Sequence, residues 1–213
     1  MKQSAAEIWS AVHLERRALF DDLKSLTPDQ WAVPSLCPGW DVHDVLAHLI
    51  DSAKTTKLGF VRRLIAARFD FDQDNAVGIS RERKAAPEAT LEAFGKVVSL
   101  TSSPPANLAT RLVEAYVHGE DIRRVLGMQG NYPPKHVLAA LEYQLRTSTK
   151  MGGGKETAAG WKLVATDADF ETGEGPEIQG RSISLLMAVS GRPIAAEELT
   201  GKHVHEFLRQ TAG

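Results

Sequence analysis

The chain contains a single cysteine, Cys37, in 213 residues, which excludes an internal disulfide framework and any Cys-x-x-Cys zinc or redox motif within one chain. A metal held by this protein would therefore take mostly imidazole and carboxylate donors. Neither sign of charge dominates: 25 basic residues against 27 acidic ones leave a net charge of −2 and a pI near 6.4. Without a basic excess there is no electrostatic footprint for nucleic acid. The longest apolar stretch, around Ile183 to Val189, is far too short to cross a bilayer. The opening Met1-Lys2-Gln3-Ser4-Ala5-Ala6-Glu7 lacks the apolar core of a secretory signal. The expectation is a cytoplasmic protein with no nucleic-acid or membrane partner. No internal repeat is evident, and 43% hydrophobic with 24% charged residues is ordinary for a globular protein able to bury one good core and a small second unit.

The first two-thirds reads as helical. Ile8, Val12, Leu19, Leu23 and Leu26 recur near helical spacing from about Ser4 to Leu26, where Thr27-Pro28 ends the pattern. A loop rich in Pro and Trp follows (Trp31, Pro34, Cys37, Pro38, Gly39, Trp40). A second helix then opens with Asp41 as N-cap and Asp44 three residues later, and continues to Phe69 with a break near Gly59. Further helices are expected from Pro87 to Leu100, through Glu114 to Gly127, and from Pro133-Pro134 to about Lys150. Long helices joined by loops indicate a bundle, in which metal sites form between facing helices. Gly152-Gly153-Gly154 has no helical role and marks a boundary. We expect a helical bundle over 1–150 and a small α/β unit over 156–213. In the latter, Trp161 to Thr166 alternates like a strand, with a partner strand within Asp169 to Ile178. A short helix then spans Arg181 to Ser190 with Gly191 as its cap, and a last helix Leu199 to Gln210.

The chemistry sits on the run Glu114-Ala115-Tyr116-Val117-His118-Gly119-Glu120-Asp121. At about 100° per residue, a four-residue step returns to within about 40° of its start, so a helix presents Glu114 and His118 on one face. Two donors rarely suffice for a divalent ion, and His48 is the best third. It flanks the stripe of Val42, Val45, Leu46, Leu49 and Ala53, as Glu114 and His118 flank the stripe of Leu108, Leu112, Ala115, Ile122 and Leu126. Donors on stripe edges face a cleft between packed helices. A His, Glu, His set leaves a coordination position open, the pattern of a catalytic site. Taken alone, the spacing is also that of a solvated i,i+4 pair.

With these segments placed, the sequence resembles the mycothiol-dependent maleylpyruvate isomerase family, an actinobacterial branch of the DinB-like metal-binding bundles. The resemblance is carried by Pro34-Ser35-Leu36-Cys37-Pro38-Gly39-Trp40 leading into Val45-Leu46-Ala47-His48-Leu49, by Glu114 to Asp121, and by Leu163 to Asp169 followed by Gly173, Gly175-Pro176, Gly180 and Leu185-Leu186 to Gly191-Arg192. It implies a mainly α protein, a DinB-like four-helix bundle followed by a small α/β sterol-carrier-protein-like domain. It also implies a divalent metal (zinc first, nickel or iron as alternatives) on His48, Glu114 and His118. Mycothiol is the implied cofactor, and the implied reaction is isomerisation or S-transfer to a small electrophile. The family is functionally mixed, and membership does not fix the substrate. Monomer and homodimer both fit.

Several residues have competing readings. Asp121 either orients a metal-bound imidazole or is an exposed acid paired with Arg124 or Arg111. Arg192 is, by resemblance, a candidate for binding a substrate or thiol carboxylate across the domain interface, a task suited to a bidentate guanidinium; it is otherwise a surface arginine near a helix end. Cys37 reads as a small apolar group in a loop clamped by Trp31 and Trp40 rather than a nucleophile. His203 and His205 lie on a helix, where they point apart, and His13, His43 and His136 have no partner spacing that favours ligation. The alternative to an enzyme is a non-catalytic metal-binding bundle acting as a sensor, ligand carrier or interaction protein.

Overall fold

The computed structural model describes residues 3–211, which form ten α-helices and four strands among the described residues. Contacts divide the chain into two compact units, Met1–Gly130 and Asn131–Gly213.

In the first unit, α1 (Ala5–Leu23) starts at Ser4, whose Oγ accepts from Glu7 N while the Glu7 carboxylate accepts from Ser4 N. This reciprocal capping satisfies two amides that a helix start leaves orphaned. The short α2 (Pro28–Trp31) leads into the Pro/Trp loop. At α3 (Val42–Lys54) Asp41 and Asp44 make the same box. The break expected near Gly59 falls at Thr55 and Thr56: Thr56 Oγ1 caps the amide of Gly59 and starts α4 (Lys57–Ala66). A helix that hydrophobic spacing did not announce follows, α5 (Phe71–Glu82), and then α6 (Pro87–Val97) and α7 (Thr110–Arg123).

Helices α1, α3, α6 and α7 form the four-helix bundle, α3 packing on α6 and α7, and α1 on α7 and α6. Its centre is α3, whose Val42, Val45, Leu46, Ile50 and Ala53 are fully buried against Leu19, Leu23, Phe94 and Ile122. Burying side chains such as Leu46 and Ile50 stabilises by about 1.5–3 kcal/mol each. The α5 helix is clasped to α3 largely by charge. Arg63 reaches both Asp51 and Asp74 at 2.7 Å, Lys54 reaches Glu82 at 2.7 Å, and Arg81 also pairs with Asp51. Gly78 permits the approach, since a Cβ there would stand 2.7 Å from Asp51 Oδ2.

The second unit starts earlier than expected. The helix α8 (Pro134–Arg146), assigned from sequence to the bundle, packs on α9 (Ser182–Val189) instead. Its amphipathic stripe, Val137, Ala140, Leu141 and Gln144, shows that one face is buried but not which element buries it. Strands β1 (Lys162–Ala165), β2 (Glu171–Thr172), β3 (Glu177–Gly180) and β4 (Leu199–Thr200) make a sheet in the order β2-β1-β3-β4. The β1 strand runs parallel to β3, with Leu163 beside Ile178, and antiparallel to β2. Leu199 and Thr200, expected in the last helix, instead pair antiparallel with Gly180 and Gln179. That helix, α10, spans Val204–Thr211. The sheet and α8 shelter α9, which is buried at every position and apolar except for Ser182 and Ser184.

Candidate metal centre

Most of α7 is buried although it carries many charges, and this is tolerable only because its buried charges are paired. Arg123 pairs with Glu15 and, at 2.8 Å, with Asp22; Glu120 pairs with Arg124 at 2.6 Å. Glu114 and His118 belong to this helix and face α3.

There His48, Glu114 and His118 converge, each offering a ligand atom within 4.8 Å of the others. His48 Nε2 lies 3.1 Å and His118 Nε2 3.8 Å from the same carboxylate oxygen, Glu114 Oε2. With bonds of about 2.0–2.2 Å at tetrahedral angles, neighbouring donors around zinc stand about 3.4 Å apart. The observed separations bracket that value, so the donor set fits a divalent ion. The two imidazoles meet edge to face with centroids 4.7 Å apart, and the Trp40 ring packs at 5.0 Å from His48 and 6.3 Å from His118. Both histidines are buried, and the Glu114 side chain keeps 26% of its exposure.

The surroundings of the three donors differ. His118 Nδ1 donates to Asp121 Oδ2 at 2.9 Å, and Asp121 is 0% exposed, which removes the reading of an exposed acid. By contrast, His48 Nδ1 is buried and has no hydrogen-bond partner among the described residues, so only Glu114 and ring packing orient that imidazole. Burial works against the Glu114 carboxylate, but the hydrogen bond from His48 and the charges of His48, His118 and Arg111 outweigh it and hold its pKa well below the usual carboxylate range. Burial likewise works against the His118 imidazolium. Hydrogen bonds with Asp121 and Cys37, with the charges of Glu114 and Asp121, prevail and push its pKa up to about 10.

Three residues to which sequence reasoning assigned no part in the site stand beside it. Ser52 donates to Glu114 Oε2 at 3.1 Å, and Arg111 Nη1 donates to Ser52 Oγ at 2.9 Å and Ser52 O at 3.0 Å. Their spacings could have shown them: Ser52 is one turn beyond His48, and Arg111 one turn before Glu114. Cys37 is the third. It is buried in the core as expected, yet its sulfur also groups with His118 and Asp121 within 4.8 Å. The loop is brought there by Leu36 N donating to Asp121 O at 3.2 Å, and by a turn closed by Trp40 N on Cys37 O at 3.1 Å. Pro38 and Gly39 occupy its centre, and Gly39 has φ +79°, which a Cβ would strain.

Arg192 belongs to the second unit, just past the α9 cap at Gly191, where its Nη1 donates to Ser190 O at 3.2 Å. His205 is exposed on α10, His203 precedes it and bonds Glu206 at 3.1 Å, and buried His43 bonds Thr90 at 2.7 Å. None of these joins a metal-type cluster among the described residues.

The fold of the first unit is a helical bundle in which His48, Glu114 and His118 lie close enough together to hold one ion. Residues 12–99 match the family model of the Mycothiol maleylpyruvate isomerase N-terminal domain, which supports the resemblance over the part of the chain that carries the Pro34 to Leu49 motif. The match includes His48 and ends before Glu114. Two solved structures share the fold: a histidine-to-alanine mutant of the mycothiol-dependent maleylpyruvate isomerase, 14% identical with a TM-score of 0.66, and the mycothiol-dependent maleylpyruvate isomerase itself, 15% identical with a TM-score of 0.63. Each alignment covers 94% of this chain and 93% of the other. No curated protein matches this sequence significantly. Among the described residues, no helix is long and apolar enough to cross a membrane.

Proposed function

We propose that this protein is a divalent-metal-dependent enzyme that uses mycothiol to isomerise, or to transfer sulfur to, a small electrophile. The observation that carries the reading is the convergence of His48, Glu114 and His118 at separations suited to one ion; the family match supports the thiol. A bound zinc, nickel or iron ion would supply Lewis acidity that favours the ionised form of a thiol at neutral pH.

The protein's own part is placement. Asp121 fixes the ring of His118, Ser52 fixes the carboxylate of Glu114, and Trp40 covers both imidazoles on one side. The sulfur nucleophile comes from the external thiol. In isomerisation the sulfur adds to one carbon of an activated double bond, the resulting single bond rotates, and the sulfur departs with its electron pair, regenerating both the double bond and the thiol. In S-transfer the sulfur displaces a leaving group and stays attached. Arg192 is assigned to recognising a carboxylate of the thiol or substrate. The protein acts in the cytoplasm on small molecules, as a monomer or homodimer. Steady-state assays of metal-loaded protein with mycothiol across both substrate classes test this. Turnover that needs both metal and thiol supports it, and its absence in every combination overturns it.

A further inference from the structure

We infer that Arg111 is a positioning residue that sets the metal-binding geometry of Glu114 through Ser52; the inference rests on the metal site proposed above. The hydrogen-bond direction follows from chemistry. A guanidinium only donates, so Arg111 Nη1, 2.9 Å from Ser52 Oγ, must use a lone pair of that hydroxyl. A carboxylate only accepts, so the single Ser52 proton points at Glu114 Oε2, 3.1 Å away. The relay Arg111 to Ser52 to Glu114 therefore runs one way only. It ends on the same oxygen that faces His48 at 3.1 Å and His118 at 3.8 Å.

The same Nη1 also donates to the Ser52 carbonyl at 3.0 Å, which pins the α3 backbone one turn beyond His48. One buried guanidinium thus fixes both halves of the site: the α3 face carrying His48 and Ser52, and the α7 face carrying Glu114 three residues after Arg111. Arg111 and Ser52 are 4% and 7% exposed, so water competes little for these bonds. Groups that orient a ligand from behind typically govern metal affinity by about 10–100-fold.

The test is a double-mutant cycle read on metal binding. Wild type, Ser52→Ala, Arg111→Met and the double variant are titrated with zinc against a chromophoric chelator. The cobalt-loaded proteins are compared by visible absorption, with circular dichroism of each metal-free protein as the folding control. Each single change should weaken zinc binding about 10–100-fold and alter the cobalt spectrum. The double variant should bind no more weakly than the worse single one, because both substitutions break one relay, and Arg111→Lys should recover part of the loss. If wild type binds zinc and the single variants bind it equally well with unchanged cobalt spectra, or if their losses simply add, the relay is overturned while the metal site stands. If Arg111→Met fails to fold, Ser52→Ala alone decides by the same affinity and spectrum. Wild type that binds no metal overturns the site itself, and this inference with it.

Discussion

Asp121 accepts the Nδ1 proton of His118 at 2.9 Å from one helical turn further along α7, and this leaves Nε2 of the ring directed toward Glu114. The proposed role of Asp121 is to hold that ring and tautomer. Asp121→Asn keeps an acceptor but removes the charge, and should weaken metal binding by about tenfold or more. Unchanged zinc affinity and unchanged activity in this variant would remove the role.

Proton linkage gives a prediction for the metal-free protein. The pKa of His118 is raised from 6.5 to about 10. Its contribution to stability is therefore fully present below pH 6.5 and is lost as pH rises toward 10. Glu114, whose pKa is depressed from 4.5, contributes fully above pH 4.5 and loses its contribution as pH falls below that. Melting temperature should decline from neutral pH to pH 10 in chelator-treated protein, and zinc affinity should rise over the same range because the ion displaces the His118 proton. A melting temperature flat across that range would contradict the assignment.

Arg192→Ala should raise KM for a carboxylate-bearing substrate by about tenfold or more while leaving kcat nearly unchanged, the pattern of lost binding rather than lost chemistry. Arg192→Lys, which keeps charge but not the planar fork, should fall between. Identical kinetics in all three proteins would assign Arg192 to the surface.

Gly78 touches the Asp51 carboxylate, and a Cβ would stand 2.7 Å from Oδ2. Gly78→Ala should force Asp51 and its partners Arg63 and Arg81 apart and destabilise the protein by about 1–3 kcal/mol. Chemical denaturation measures this, and a shift under about 0.5 kcal/mol, typical of a neutral surface change, would show that α5 is not held as described.

How far the fold was legible depends on what each helix buries. The second helix declared itself at Asp41 and Asp44 because a capping box is local chemistry. The α5 helix did not, because its buried positions, Asp74, Gly78, Ile79 and Glu82, are mostly charged or bare and satisfied by Arg63 and Lys54 across space. A search for apolar stripes passes over such a helix. Leu199 and Thr200 continued a helical pattern locally, and only their pairing with β3 makes them a strand. Within the site, the i,i+4 step brings Glu114 and His118 to one face from sequence alone. Joining them to His48 took the bundle or the family resemblance. Ser52 and Arg111 lie one turn from His48 and Glu114, a spacing that places them beside the donors, but their bonds to each other and to Glu114 exist only once α3 and α7 are packed together.

The most direct test of the account is elemental analysis of protein purified without affinity tag or chelator, beside Glu114→Ala and His118→Ala variants shown to be folded. The account predicts near-stoichiometric divalent metal in wild type and its loss from both variants. Wild type without metal, and unable to take it up on reconstitution, would contradict it.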